Sequence, residues 1–531
     1  MVQFIAARAE MTGSTTSVLI IGAGPVGLAL ACELGLRGIA AMLIEKRDGT
    51  IGVPKQSMVS SRSMELCRRW GIAPAVRAAV WPQNHPRDFV YAESLRGREL
   101  LRVKLPSFAA RERNDITPEP PCPCPQTYFD PILIERVKTF ATIQIRYNAR
   151  LDVLTQDDEG VMAQLTDTRS GATESVSAHY LVGCDGPAGV VREALGIALV
   201  GDGTIANSLN LFFRSAALAS FHDKGWARFY RVIDEAGCWA ELIPIDGNEL
   251  WRLTVFDEPA SAEDPDALLR KMAGGAFEYE MLSVVPWQRR EHVASHYGEG
   301  RVFIAGDAAH ECSPTGGIGM HTGLEEAANL GWKLAAVVEG WGGPHLLASY
   351  EAERQPIALR NVALATRSFE AIAAIPGVGA PEDSQWRTNP SPWLSLPEHL
   401  KLQYAYKGSP LCVGDDGAAA PGPEPPRFVP STRPGTRAPH AWLADGRSTL
   451  DLFGDGFVLL RLGDKAPDAA RLLDAGRMRG VPMREISIGD PHIAALYEKR
   501  LVLVRPDGHV GWRGDNVPAD AGAIIEGLRG A

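Results

Sequence analysis

Val18-Leu-Ile-Ile-Gly-Ala-Gly-Pro-Val-Gly27 decides the reading of this chain. Val18–Ile21 is a short apolar run of the kind that forms a buried parallel strand. It enters the turn Gly22-Ala-Gly24-Pro25-Val-Gly27, and Leu28 to Arg37 then mixes small and apolar residues like a buried helix. Ala41–Ile44 is a second apolar run, ending on Glu45, 21 residues after Gly24. Strand, glycine turn, helix, strand and acid open a Rossmann-like fold. Gly22 permits the tight turn, Gly24 lets a pyrophosphate approach the backbone, and Gly27 lets helix and strand pack closely. The N-terminus of that helix offers free N–H groups and a partial positive charge to phosphates. An acid at the position of Glu45 takes both hydroxyls of an adenosine ribose and disfavours a 2′-phosphate. The implied ligand is FAD or NAD.

Two further strand ends carry polar turns. Tyr180-Leu-Val-Gly-Cys-Asp185-Gly186 is one, with Arg192 on the helix that follows. The other is Val302–Ala305, closed by Gly306-Asp307. Pro314-Thr-Gly-Gly-Ile-Gly319-Met320-His321 then leads into a helix over Gly323–Val338.

Composition narrows the classes. At roughly 100–200 residues per domain, 531 residues make several units. Hydrophobic residues at 45% and charged residues at 22% are globular values, which exclude disorder, collagen and coiled coil. The net charge of 54 − 64 = −10 gives no electrostatic footprint for nucleic acid. No apolar run approaches the ~18 residues of a spanning helix. Eight cysteines without a paired C-x-x-C imply neither a disulfide framework nor a metal site, and suit a reducing cytoplasm. Residues 1–16 lack the basic region and long apolar core of an export signal.

The three motifs, in this order, resemble the FAD-dependent aromatic hydroxylases, single-component flavoprotein monooxygenases that act on phenols. The resemblance runs from Val18 to about Ala358 and includes the tail. It implies non-covalent FAD, with the first motif on its ADP half and Asp307 on its ribityl or pyrophosphate portion. Pro314 and the Gly319-Met320-His321 backbone would lie along the flavin ring. Asp185 would sit near the pyrophosphate and bear on NAD(P)H use, and Gln126 would hydrogen-bond FAD. The segment from Pro54 to Arg69 would lie over the flavin, and Leu347–Pro356 matches the helix after the flavin site. Three positions depart from the pattern. Lys55 replaces an arginine, keeping the charge but losing the planar fork. Gly189 replaces a serine, and His321 an asparagine.

The expected fold is α/β. It combines a Rossmann-like FAD-binding domain (1–95, 115–200 and 295–375), an inserted, mainly antiparallel substrate sheet (201–294) and a thioredoxin-like C-terminal domain (431–531). Residues 96–114 read as a surface excursion on the substrate side, and 376–430 as a Pro/Gly-rich linker. Strand-like runs at Leu209–Phe213, Ala227–Ile233, Cys238–Ile245 and Leu250–Phe256 alternate as a half-solvated sheet does. They offer Arg228, Tyr230, Trp239, Glu241 and Arg252 as pocket residues, while His321, Tyr230 and His85 are candidates for the base. No cysteine follows Cys412, so the tail has no dithiol chemistry, and its expected use is homodimerisation or stabilisation. On this reading a chain ending near Ala418 still binds FAD, provided it folds, with changed oligomerisation or stability as its main defect.

The resemblance implies an activity in which NAD(P)H reduces FAD. O₂ then adds to give a C4a-hydroperoxide, which hydroxylates a small phenolic or amino-aromatic substrate. The competing readings are an FAD dehydrogenase or oxidase, and a non-catalytic flavin-binding protein.

Overall fold

The computed structural model describes residues 14–51, 57–111, 114–256, 264–390, 394, 396–414 and 427–531. Pro54 and Lys55 lie outside them. The opening run forms the strand Ser14–Ile21, parallel to Ala41–Glu45 on one side and to Thr173–Gly183 on the other. Val302–Ile304 and Ile143–Tyr147 extend the parallel sheet outward. Val18, Leu19 and Ile20 are completely buried because helices cover the sheet, as its unbroken apolar strands require. Helix Pro25–Leu36 packs against helix Gly319–Val338 through missing side chains. A Cβ on Gly331 would lie 2.6 Å from Glu33 Cβ, and one on Gly323 would lie 2.5 Å from Val26 Cγ2.

The second sheet has eight strands and is antiparallel except where Phe229–Ile233 meets Phe89–Ala92. All four strand-like runs fall in it, in Leu199–Arg214, Phe229–Ile233, Cys238–Pro244 and Leu250–Phe256. One face buries Leu211, Phe213, Trp251 and Leu253 against helix Pro265–Ala273. The other face turns inward. Phe89–Ala92 and Glu99–Val103 complete this sheet. The expected surface excursion therefore holds a paired edge strand, and the sheet begins before residue 96.

Phe457–Leu462 runs parallel to Met483–Ile488 and antiparallel to Leu501–Val504, which pairs with Val510–Gly514. With helices Ala470–Met478, Pro491–Tyr497 and Ala521–Arg529 this is a thioredoxin-like domain. It shares a core with the rest of the chain: Trp332, Trp341 and Leu346 pack with Phe457, Leu459 and Trp512. Its Arg505–His509 turn is buried as well. Arg505 clamps Glu353 with both terminal nitrogens, at 2.6 and 2.8 Å, and Lys333 reaches the same carboxylate at 2.7 Å. Arg62 donates to the Asp507 carbonyl at 3.1 Å.

The stretch expected to be a linker wrapping the body packs against it. Trp386, Leu396, Leu402 and Tyr406 are buried, and short helices form at Gln385–Thr388 and Glu398–Leu402. Among the described residues no helix is long and apolar enough to cross a membrane.

Candidate active site

A cavity of about 2240 Å³ runs along the C-terminal ends of the parallel strands and across the inner face of the second sheet. Open α/β sheets bind ligands at such strand ends. Each glycine of the first turn has a distinct constraint. Gly22 has φ +106°, and a Cβ there would meet the Cys184 carbonyl oxygen at 2.4 Å. A Cβ on Gly27 would meet the Gly22 oxygen at 2.0 Å, whereas one on Gly24 would meet nothing within 4 Å. Gly24 thus faces open cavity. It caps helix Pro25–Leu36 without a side-chain bond, which leaves the first N–H groups free for a ligand. Glu45 ends its strand at the same rim and accepts from Ala23 N at 3.1 Å and Arg47 N at 2.9 Å.

Asp307 projects into the cavity from the turn Gly306–Ala308. Sequence reading missed what holds that turn. Glu326, fully buried, accepts from Gly306 N at 2.8 Å and pairs with His310. Against the burial that would lower it, Glu326 raises the His310 pKa. Asp185 accepts from Val191 N at 3.1 Å, while its other carboxyl oxygen is buried and unpartnered, and burial raises its pKa. A Cβ at Gly189 would stand 2.9 Å from that oxygen. Pro314, Gly319, Met320 and Gln126 line the same half of the cavity.

His321 also lines it, but as a neutral ring. Its Nδ1 lies 3.0 Å from Ser63 Oγ, and the imidazole also bonds the Met58 backbone. Burial, then Lys401, pushes its pKa down to about 3. A base for phenol deprotonation needs a pKa nearer the working pH, so His321 is a poor one.

The second sheet supplies the other half. Arg228, Glu241 and Arg252 line the cavity as the strand runs suggested, and two expected residues do not. Tyr230 packs in the sheet's opposite core, its hydroxyl held by Gly225 O and Ala227 N, and burial pushes its pKa up. Trp239 packs on that side too, under Lys271 Nζ at 4.2 Å. The cause is a β-bulge: Val232 pairs with Ala240 but Ile233 with Cys238, so Trp239 is the extra residue and loses its alternation. His85 stacks on Trp226 at 4.5 Å and is not on the cavity wall.

Residues 15–365 match the family model for the FAD binding domain, and residues 431–530 match the model for the aromatic-ring hydroxylase C-terminal region. The chain belongs to the FAD-binding aromatic-ring hydroxylases. It is 35% identical to a protein described as a putative polyketide hydroxylase of Streptomyces halstedii, covering 97% of both chains. Chromopyrrolic acid-soaked RebC with bound 7-carboxy-K252c superposes with a TM-score of 0.88 at 38% identity, over 98% of this chain and 100% of that one. The ternary complex of aklavinone-11 hydroxylase with FAD and aklavinone gives 0.83 at 30% identity, over 98% and 100%. This hydroxylase is an FAD-dependent monooxygenase, and its open glycine turn, free helix N-terminus and strand-end acids fit that cofactor.

The half of the hydroxylase's cavity lined by the second sheet is cationic. Arg228 is 4% exposed and donates to Ser57 Oγ at 2.5 Å and Pro244 O at 3.2 Å. Arg252 makes no hydrogen bond among the described residues, and its Nε is buried. Neither has a carboxylate within ion-pair distance there. Burial, then Arg252, pulls Arg228 down to about 9, and burial also lowers Arg252. Arg231, by contrast, is neutralised by Glu241 at 2.9 Å. Phe212, Phe256 and Phe369 supply aromatic walls, and Leu396 comes from the expected linker. Sequence reading missed Arg231 and these apolar residues, since only the fold brings their elements to one cavity.

Proposed function

We propose that this monooxygenase uses NAD(P)H and O₂ to hydroxylate a large aromatic substrate that carries an acidic group. The pair Arg228 and Arg252 is the observation that carries this reading. Arg228 is buried and Arg252 half-buried, and the Glu241 carboxylate near both is engaged by Arg231, so the cluster keeps an excess of positive charge that an anion would offset. The cavity of about 2240 Å³ has room for FAD and a substrate together, since drug-sized ligands occupy pockets of about 300–1,000 Å³. A relative named for a polyketide and a structural neighbour holding a carboxylated ligand agree in kind.

Glu45 would take the adenosine ribose, and the Gly24 backbone with the Pro25 helix start the pyrophosphate. Asp307, Asp185 and Gln126 would bond the remaining polar groups, with Lys55 contributing charge. Pro314 and the Gly319–His321 backbone would border the flavin ring. FAD held by these residues would supply the redox chemistry, taking hydride from NAD(P)H and, with O₂, giving one oxygen atom to an electron-rich aromatic carbon. The protein's share is positioning, exclusion of water by the apolar walls, and charge. Guanidinium groups beside a phenol favour its phenolate, which activates the ring without a dedicated base.

The test is to screen paired aromatics, with and without a carboxylate, for stimulated NADH or NADPH oxidation, with mass analysis of the product. The acidic member should stimulate more strongly and gain one oxygen. Arg228→Met should raise its KM by about tenfold or more and leave FAD content unchanged. Equal stimulation by neutral analogues, or a product lacking the added oxygen, would sink the reading.

A further inference from the structure

A buried cation joins the two halves of the cavity. Arg289 stands on strand Glu280–Ala294 of the second sheet, is 3% exposed and belongs to the cavity wall. Its Nε donates to Ser208 Oγ on the neighbouring strand at 3.0 Å. Its Nη1 donates across the cavity wall to Ser313 Oγ at 3.0 Å and to Thr315 Oγ1 at 3.2 Å. The guanidinium carbon lies 4.3 Å from the ring centre of Phe369, 4.6 Å from that of Trp287 and 5.4 Å from that of Phe256. Phe256 and Phe369 are aromatic walls of the half lined by the second sheet. One group therefore packs on those walls and bonds the turn 313–317, whose Pro314 would border the flavin ring.

That turn makes its own shape. Ser313 Oγ donates to Thr315 Oγ1 at 3.0 Å and accepts from Thr315 N at 3.3 Å, and Gly317 N donates to Pro314 O at 3.0 Å. These bonds leave open where the turn sits. Among the described residues, the hydrogen bonds that join it to another element are the two from Arg289. Arginine suits the task, because its planar fork spreads donors in fixed directions whereas lysine offers one point charge. The rings around the guanidinium hold the fork in one orientation, as a positioning group requires.

We propose that Arg289 is a positioning residue of the hydroxylation. It fixes the turn 313–317 against the wall that receives the substrate, and so sets the separation between the flavin ring and the aromatic carbon to be oxidised. This rests on the FAD reading of the same cavity. Productive turnover consumes NAD(P)H, H⁺, O₂ and the aromatic ArH, and yields NAD(P)⁺, H₂O and ArOH. The competing reaction turns the same NAD(P)H, H⁺ and O₂ into NAD(P)⁺ and H₂O₂, and needs no alignment with the substrate. A misplacement of about 1 Å costs an aligned step on the order of a hundredfold. A loosened turn therefore diverts oxygen to peroxide and leaves NAD(P)H oxidation in place.

The test uses full-length holoprotein and compares wild type with Arg289→Met, Arg289→Lys and the double variant Ser313→Ala, Thr315→Val. Methionine keeps the stacked stem and loses the fork. Lysine keeps the charge and loses the fork. The double variant keeps Arg289 and removes its acceptors on the turn. One readout is the visible circular dichroism of bound flavin without substrate. The other is the ratio of hydroxylated product to H₂O₂, with the acidic aromatic that most stimulates oxidation in the screen above. FAD content and melting curves are recorded alongside. All three variants should retain FAD and share an altered flavin dichroism. Their NAD(P)H oxidation should stay within about threefold of wild type while product per NAD(P)H falls by about fivefold or more, with H₂O₂ making up the difference. Adding Arg289→Met to the double variant should worsen nothing, because both remove the same bonds.

A wild-type product ratio and dichroism in Arg289→Met would overturn the proposal. So would wild-type behaviour of Arg289→Lys, which would make the role one of charge. A lowered melting temperature with an unchanged ratio and dichroism would overturn it too, by making the role one of packing. If Arg289→Met does not fold, the double variant decides on the same readouts. If no aromatic stimulates oxidation, the flavin dichroism decides. Wild type that retains no FAD would defeat the FAD reading itself.

Discussion

Asp307 is a single carboxylate on a turn that two buried groups hold in place. Glu326 fixes the Gly306 N–H and pairs with His310. Because the scaffold does not depend on the Asp307 side chain, Asp307→Ala should fold like wild type. It should release FAD more readily, by roughly ten- to a hundredfold, the worth of a hydrogen bond to a charged group. An unchanged dissociation constant would remove Asp307 from the FAD site. At this scale the sequence was legible where a residue type has one mechanical use, as with Gly22, Gly27 and the strand-end acids. Tyr230 was not legible, because a strand tyrosine has the same local sequence whether it faces a core or a cavity.

At the scale of elements, the first turn separates two demands that one motif conceals. Gly27 serves the protein, since a Cβ there would lie 2.0 Å from the Gly22 oxygen. Gly24 serves the ligand, since a Cβ there would enter open space. Gly24→Ala should therefore keep the wild-type apoprotein melting temperature and lose FAD. Gly27→Ala should destabilise the fold itself by about 1–3 kcal/mol, as overpacking does, read as a lowered melting temperature. Equal effects on stability would show that the turn has no such division of labour. Strand alternation was a good guide in Leu250–Phe256, where Arg252 and Thr254 face the cavity and Leu253 and Val255 the core. It failed at Trp239, where one bulged residue puts two neighbours on one side. The 376–430 stretch reads by composition as a linker wrapping the body, and which of its residues enter the core, Trp386, Leu396 and Leu402, only the fold decides.

For the molecule as a whole, the tail is not an appendage. The flavin motifs all precede residue 331, which made a chain ending near Ala418 look self-sufficient. Cutting there would uncover Trp332 and Trp341 and remove Arg505 from Glu353. Against its burial, Arg505 and then Lys333 hold that carboxylate well below its usual range. Breaking a buried pair costs about 3–5 kcal/mol, a large part of a domain's stability. The shortened chain should fail to yield folded, flavin-loaded protein, checked by size-exclusion chromatography and flavin absorbance. A monodisperse yellow product would show that the shared core is dispensable. The same feature sets an order of events during synthesis. Arg62 and its acceptor on Asp507 are separated by 445 residues, and Glu353 and Arg505 by 152. A ribosome has made nearly the whole chain before this network can close. Until then the emerged portion carries uncovered tryptophans and a carboxylate short of its main cation. Domains usually fold in turn as they emerge. Here the network waits for the Arg505–His509 turn, and a nascent chain stalled before Arg505 keeps that apolar surface uncovered.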